Sequence, residues 1–356
     1  TVAYGSVSGL GDYDIFHQNT SGIGGVAAVG DRFGASVASG DINNDGFDDV
    51  IVGVPGEYRC WTRVCGAVGG INIIYGSANG LTSAGDHYFT QNTRGIAGVA
   101  AVGDRFGASV ASGDINNDGF DDVIVGVPGE YRCWTRVCGA VGAINVIYGT
   151  AAGLSSTGDH YFTQNSRGIG GVAAVGDEYG ASVASGDVNG DGFDDVIVGV
   201  PGEYRCWTRV CGAVGSINVI YGTANGATTT GDHYFTQNSR GIGGKSAVGD
   251  EFGAFVTSGD INDDGFADVI IGAPGERISS YNDAGAVHVL YGTANGTTTT
   301  DDLYLYASQS AFTGTSQTNA RFGTSIATIG KDLIIGAPGT TISGASNAGA
   351  IYYLTQ

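Results

Sequence analysis

The sequence of 356 residues has no methionine, Pro 5, and Lys+Arg 15 against Asp+Glu 35. The absence of any methionine, a start methionine included, reads as a processed or excised mature chain. No signal peptide is visible. No window approaches the ~18 consecutive apolar residues of a membrane helix, so no membrane span is expected. The shortage of base leaves a formal charge of −20. That excludes nucleic acid as a partner, because phosphate binding needs clustered Lys and Arg. An apolar helical period is missing, and so is a glycine loop that follows a strand and opens a helix around phosphate. His87, His160 and His233 stand beside an Asp with no nucleophile at matched spacing. They read as surface residues of outer strands, and the chain is not expected to be an enzyme.

What is abundant is glycine (65 residues) and a hydrophobic fraction of 42%, with only 14% charged. Such a composition describes a turn-rich β protein with enough apolar material for a core. Six cysteines form three C-x4-C pairs, Cys60/Cys65, Cys133/Cys138 and Cys206/Cys211. Zinc is the competing reading, but each pair lacks an adjacent His to complete four ligands. Local pairing favours three disulfides in an oxidising compartment, hence an extracellular or cell-surface protein. Each closed loop is short and would mainly stiffen itself.

Internal repetition decides the architecture. Phe-Gly or Tyr-Gly recurs at Phe33, Phe106, Tyr179, Phe252 and Phe322, and residues 31–69 are identical to residues 104–142. That identity fits recent duplication or deliberate construction. Within the second copy four strands are expected: Phe106–Ser112, Val123–Val127, Ala143–Tyr148 and His160–Gln164. The Val/Ile-dense second strand reads as buried on both faces. Four antiparallel strands per repeat at this period describe a propeller blade. The expected fold is a single all-β domain over residues 1–356, a five-bladed β-propeller with blades at about 31–92, 104–165, 177–238, 250–306 and 321–356. The fifth repeat ends without a fourth strand, and residues 10–19 match that strand, so the chain ends are expected to pair and close the ring. The alternative is part of a larger propeller completed by another chain. Thr1–Gly5 resembles a third strand and is either surplus or the remnant of a longer array.

Between the first two strands of four repeats lies a loop with oxygen-bearing side chains at positions 1, 3, 5 and 9. These are Asp41, Asn43, Asp45 and Asp49; Asp114, Asn116, Asp118 and Asp122; Asp187, Asn189, Asp191 and Asp195; and Asp260, Asn262, Asp264 and Asp268. Position 7 (Phe47, Phe120, Phe193, Phe266) would add a backbone carbonyl, and Gly46 and its equivalents permit the turn. Calcium takes six to eight oxygens, and this spacing turns successive side chains inward. An EF-hand is excluded, because position 12 is Val or Ile and a strand follows. A metal-free Asn/Asp-Gly turn is the simpler alternative, but four copies with one spacing favour about four structural calcium ions. Sixteen of the 35 acidic residues lie in these loops. The fifth repeat, Ala327-Thr-Ile-Gly-Lys-Asp332, is shorter, and no calcium is expected there.

Phe-Gly at the first strand, D-x-N-x-D-G-x-x-D, and Gly-Ala-Pro-Gly at 272–275 and 336–339 together resemble the FG-GAP repeats of integrin α-subunit propellers. The resemblance implies a propeller with calcium in the loop joining strands one and two on the lower face. It implies ligand contacts on the opposite face, from the loops joining strands two to three and blade to blade. Integrin propellers have seven blades, so five is a departure, and no inserted adhesion domain is present.

The loop after Pro-Gly, Glu57-Tyr-Arg-Cys-Trp-Thr-Arg-Val-Cys65, recurs at 130–138 and 203–211. Trp61 with Arg63, Trp134 with Arg136, and Trp207 with Arg209 are the candidate ligand-binding residues, an aromatic platform beside hydrogen-bond donors. Packing of the Trp rings against neighbouring blades is the alternative. Arg94, Arg167 and Arg240 are expected to approach the same face. These features point to an extracellular, calcium-stabilised binding module for glycans or cell-surface and matrix proteins, adhesive or lectin-like, with a monomer favoured. A structural or engineered repeat scaffold without a small ligand is the alternative.

Overall fold

The computed structural model describes residues 1–6, 9–61, 64–134, 137–207, 210–312 and 314–355. Among them there is no helix; the chain is a succession of antiparallel sheets arranged as five blades of a β-propeller. In blade two the strands are Ser109–Gly113, Asp122–Val127, Ala143–Ile147 and His160–Phe162, paired in that order. Val125 lies opposite Val110 on one side and Asn145 on the other. Every residue of Asp122–Val127 is buried, as its unbroken Val/Ile run requires.

The first strand starts three residues later than its alternation suggests. Arg105 (φ 62°) and Gly107 (φ 81°) turn the chain sharply, and Phe106 leaves the strand path. Its N–H donates to the Val68 carbonyl of the previous blade at 3.1 Å, and its ring is fully buried. A side chain on Gly69 would meet the Phe106 backbone at 2.2 Å, so this close approach needs glycine.

The core lies between blades. Ile51, Ile71 and Ile73 of blade one pack with Phe106, Val123 and Val125 of blade two, and the same arrangement recurs down the chain. A single blade has too little apolar surface to hold itself together.

Two features depart from expectation. The loop after Pro-Gly is a second small sheet: Tyr58–Trp61 pairs with Val64–Ala67, and blades two and three repeat it. Among the described residues the chain ends do not pair. The fifth sheet, Ser325–Ile329, Asp332–Ala337 and Ala350–Leu354, has three strands, while Val2–Ser6 pairs with Gly9–Asp14 instead. Inner strands pack in series from Ser36–Gly40 to Ser325–Ile329, and among the described residues no comparable contact joins the first to the last. Residues 16–23 cover part of blade one instead, with Phe16 and Ile23 against Val52 and Ile74.

Candidate calcium loops and the hairpin face

In the loop of blade two, Asp114 accepts from the N–H groups of Asp118 (3.0 Å) and Gly119 (2.8 Å). Asn116 Oδ1 accepts from Asp118 N at 3.0 Å, and Asp118 Oδ1 accepts from Phe120 N at 3.1 Å. Positive φ at Asn117 (53°) and Gly119 (88°) produces the bend that gathers these side chains. Asp122, fully buried, accepts from Ile115 N at 3.1 Å and Gly149 N at 2.9 Å, fixing the loop to the next connection. Burial pushes the Asp122 carboxyl up to about 8, with Asp118 and Asp114 adding to the shift. Asp195 is likewise pushed to about 8, and Asp49 and Asp268 to about 6, burial first in each case.

Among the described residues no group of three or more His, Cys, Asp or Glu side chains stands ready around one point for a metal. The donor set nevertheless fits a hard cation: three carboxylates, one amide oxygen and a backbone carbonyl per loop, all oxygen. The loops also touch one another. Asp121 Oδ2 accepts from Asp41 N at 2.8 Å, and Asp121 N donates to the Asp41 carbonyl at 3.1 Å. Asp194 repeats this with Asp114, whereas Ala267 keeps only the backbone bond to Asp187. In blade five the chain turns tightly between Ile329 and Asp332, and Lys331 reaches Asp263 of the neighbouring loop at 2.8 Å.

Antiparallel order puts the small hairpins, between strands two and three, at the end of each blade away from these loops. Cys60–Cys65 and Cys206–Cys211 are disulfides across directly opposed positions, and Cys138 is also disulfide-bonded. The side chain of Cys133 lies outside those described. Trp61, Trp134 and Trp207 end the first hairpin strand by backbone; their side chains, and all of Arg63, Arg136 and Arg209, lie outside the described residues.

The carboxylate of this loop is not free to meet a ligand. Glu130 is buried, accepting from Gln91 Nε2 (2.8 Å) of the preceding linker and from Tyr161 OH (2.7 Å) of the outer strand. Arg132 stacks on Tyr161 at 5.2 Å from its centroid and donates to its hydroxyl at 2.8 Å. Blade three repeats the network, with Gln164, Tyr234 and Arg205 around Glu203. In blade one Gln18 holds Glu57 and Arg59 stacks on Tyr88 at 5.1 Å. Beneath it, burial pushes Asp104 and Asp177 up to about 7 and Asp250 to about 8, with Glu130, Glu203 and Glu276 adding to the shift. The loop spacing hides this network, because Gln91 comes 39 residues before Glu130 and Tyr161 comes 31 after it.

Sequence reasoning also passed over Tyr58, Tyr131 and Tyr204, which stand on the hairpins 49%, 50% and 49% exposed. A groove of about 210 Å³ lies beside the first hairpin, lined by Arg59, Tyr88, Thr90, Asn92 and Thr93. Arg167 and Arg240 do not join this face by backbone. Their carbonyls accept from Thr229 and Thr299, where the chain enters the outer strand, at the opposite end of the sheet. His87, His160 and His233 each meet a tyrosine hydroxyl at 2.9 Å on the outer strands.

The FG-GAP repeat model matches residues 33–70, 106–144, 179–221 and 252–290. Integrin alpha-5 of Xenopus laevis is 30% identical over 247 residues, 68% of this chain and 20% of that protein. Phosphatidylinositol-glycan-specific phospholipase D of Bos taurus is 32% identical over 176 residues, 48% of this chain and 19% of that protein. The chain thus spans about a fifth of the length of these curated relatives. The rhamnogalacturonan lyase PL11 of Bacillus licheniformis superposes with a TM-score of 0.39 at 10% identity, over 87% of this chain and 56% of that one. With its repeated Phe-Gly turns, its acidic loops, the repeat-model match and the integrin match, the chain belongs to the FG-GAP-repeat, integrin-like β-propellers.

Proposed function

We propose that the chain is an extracellular adhesion module that binds a glycan or a cell-surface protein through its hairpin face, with calcium stapling the opposite end of four blades. The observation that carries this reading is the hairpin itself. Cys60–Cys65 and Cys206–Cys211 close two of them, and all three present a half-exposed tyrosine beside an arginine already stacked on an outer-strand ring. A flat aromatic surface with a fixed guanidinium suits the apolar face and hydroxyls of a sugar, or a carboxylate. Three copies on one arc favour a multivalent partner, where linked weak contacts gain strongly in avidity. Similarity to integrin α chains supports an adhesive role, and the disulfides support an oxidising location.

In each loop the residues at positions 1, 3, 5 and 9 and the carbonyl at position 7 would hold calcium. The ion would supply charge neutralisation beside a buried Asp, and its effect would be structural. We read the chain as non-enzymatic, because the histidines are engaged by tyrosine hydroxyls on the outer strands.

A glycan array, together with a panel of matrix proteins, probed with and without EDTA, tests the binding reading. Binding that falls at least tenfold in the triple variant Tyr58→Ala, Tyr131→Ala, Tyr204→Ala supports it. Blank panels with calcium-loaded protein leave the scaffold reading in its place.

A further inference from the structure

The tyrosines of the hairpin face belong to a longer apolar arc. Each linker from the outer strand of one blade to the first strand of the next passes through Val-Ala-Ala-Val at 99–102 and 172–175, and through Lys-Ser-Ala-Val at 245–248. Val99 and Val172 are 78% and 77% exposed, and Val102, Val175 and Val248 are 51%, 50% and 52% exposed. All three linkers have a blade of this chain on either side, and the values repeat. The exposure therefore belongs to the repeat and not to either end of the chain.

The valines are held there. Gly103 N donates to the Ala67 carbonyl of the earlier hairpin at 2.7 Å, and Gly176 and Gly249 repeat the bond to Ala140 and Ala213. On the other side, Asp104 accepts from Ala101 N and from Tyr131 N of the later hairpin. A side chain on Gly66 would meet Val102 at 2.5 Å, so the hairpin admits this valine only with glycine there; Gly139 and Gly212 do the same for Val175 and Val248. Hairpin and linker thus alternate along one arc: Tyr58, Val102, Tyr131, Val175, Tyr204, Val248. Blade four has a different loop, yet it too presents a tyrosine, Tyr281, 44% exposed. Single exposed apolar side chains are ordinary; a fixed, repeated arc of them marks an interaction surface.

The same face is basic, in a chain whose net charge is −20. Its carboxylates are withdrawn: Asp104, Asp177 and Asp250 are buried, and so are Glu57, Glu130, Glu203 and Glu276. Arg59, Arg132 and Arg205 keep 41%, 41% and 40% of their side chains exposed, and Lys245 and Arg277 are exposed. Glu178 and Glu251 are ion-paired, with Arg105 at 3.1 Å and Arg321 at 2.6 Å. Sixteen of the 35 acidic residues lie in the loops at the other end.

We propose that the hairpin face docks on an anionic phospholipid membrane. The linker valines and hairpin tyrosines sit at the headgroup boundary, and the arginines and Lys245 face the lipid phosphates and carboxylates. Valine suits the acyl edge, tyrosine the wet interface, and the cations the negative surface potential. A soluble polyanion would use the same cations but has no use for the valines. Lys245 in place of the first valine exchanges insertion for charge on the same surface. The acidic end points away from the lipid. This docking shares a face with the adhesive reading and does not rest on it, because bare lipid is the ligand.

Co-sedimentation in calcium with vesicles of phosphatidylcholine alone, and of phosphatidylcholine with phosphatidylserine, tests the proposal at low and high salt. The parent should bind the phosphatidylserine vesicles about tenfold more strongly than the plain ones, and high salt should remove most of that difference. Val99→Asp with Val172→Asp should weaken binding about tenfold, and Lys245→Glu about threefold. Circular dichroism and melting should match the parent, since all three side chains are exposed. No binding to either vesicle overturns the proposal, and so does equal binding to both. A valine variant that binds like the parent also overturns it: the lipid is then held by a calcium bridge to the acidic loops, which both variants keep, or by the cations alone as a soluble polyanion would be. Vesicle binding alongside blank glycan and protein panels supports the docking and removes the adhesive reading alone.

Discussion

The identical segments 31–69 and 104–142 allow the contribution of a neighbouring blade to be isolated from that of local sequence. Phe106→Ala and Phe33→Ala make the same change in the same 39-residue context. Phe106 is fully buried among Ile51, Ile71, Ile73 and Val125. Truncating a fully buried phenylalanine costs about 3–5 kcal/mol, part transfer and part cavity. Phe33 is only partly buried, against Phe16, Ile23 and Val52. With less apolar area removed from water and room for solvent to fill the gap, its loss should cost about 1–2 kcal/mol. The valine pair follows the same logic: Val110→Ala should cost about 1 kcal/mol and Val37→Ala close to nothing. Urea denaturation in calcium measures both pairs as midpoint shifts at constant slope. Equal losses at Phe33 and Phe106 would refute the claim that the core lies between blades.

Two further outcomes follow from the buried polar groups. Asp104, Asp177 and Asp250 hold their protons more tightly folded, at about 7, 7 and 8, than at their ordinary 3.8. Folding therefore takes up protons between those values, and stability should fall as pH rises from about 4 to about 8. Melting of the calcium-loaded protein across that range should show the slope, and Asp104→Asn should flatten it; a slope of opposite sign or no change in the variant contradicts the assignment. Asp121→Ala removes the side-chain link from the loop of blade two to Asp41. Calorimetry should show weaker calcium binding at the first loop with the fourth unchanged, and an effect spread equally over all loops contradicts local coupling.

Much of the fold is legible in the sequence because its signals are local. The buried Val/Ile run, each Phe-Gly turn and the shortened fifth loop sit in a few consecutive residues. What escapes depends on distant partners or on accumulated angles. Nothing in the residues next to Glu130 shows that it is buried; Gln91 and Tyr161 arrive to cover it from the preceding linker and the outer strand. The match between residues 10–19 and a fourth strand is real at the level of Gln18, which takes its repeat position on Glu57. Whether five blades curve far enough to bring that strand to Ala350–Leu354 is set by packing at every junction, and no local pattern encodes that sum. The hairpin pairing escapes because Trp, Arg and Cys in a C-x4-C loop suggest a surface platform more strongly than a two-stranded ladder.

The central claim, calcium as a staple in four blades and absent from the fifth, is tested most directly by native mass spectrometry of the chain titrated with calcium, read alongside its melting temperature. Four bound ions are expected, falling by one with each of Asp45→Ala, Asp118→Ala, Asp191→Ala and Asp264→Ala, and melting should drop by several degrees or more when a chelator removes them. A protein that binds no calcium, or that melts unchanged after chelation, would contradict it.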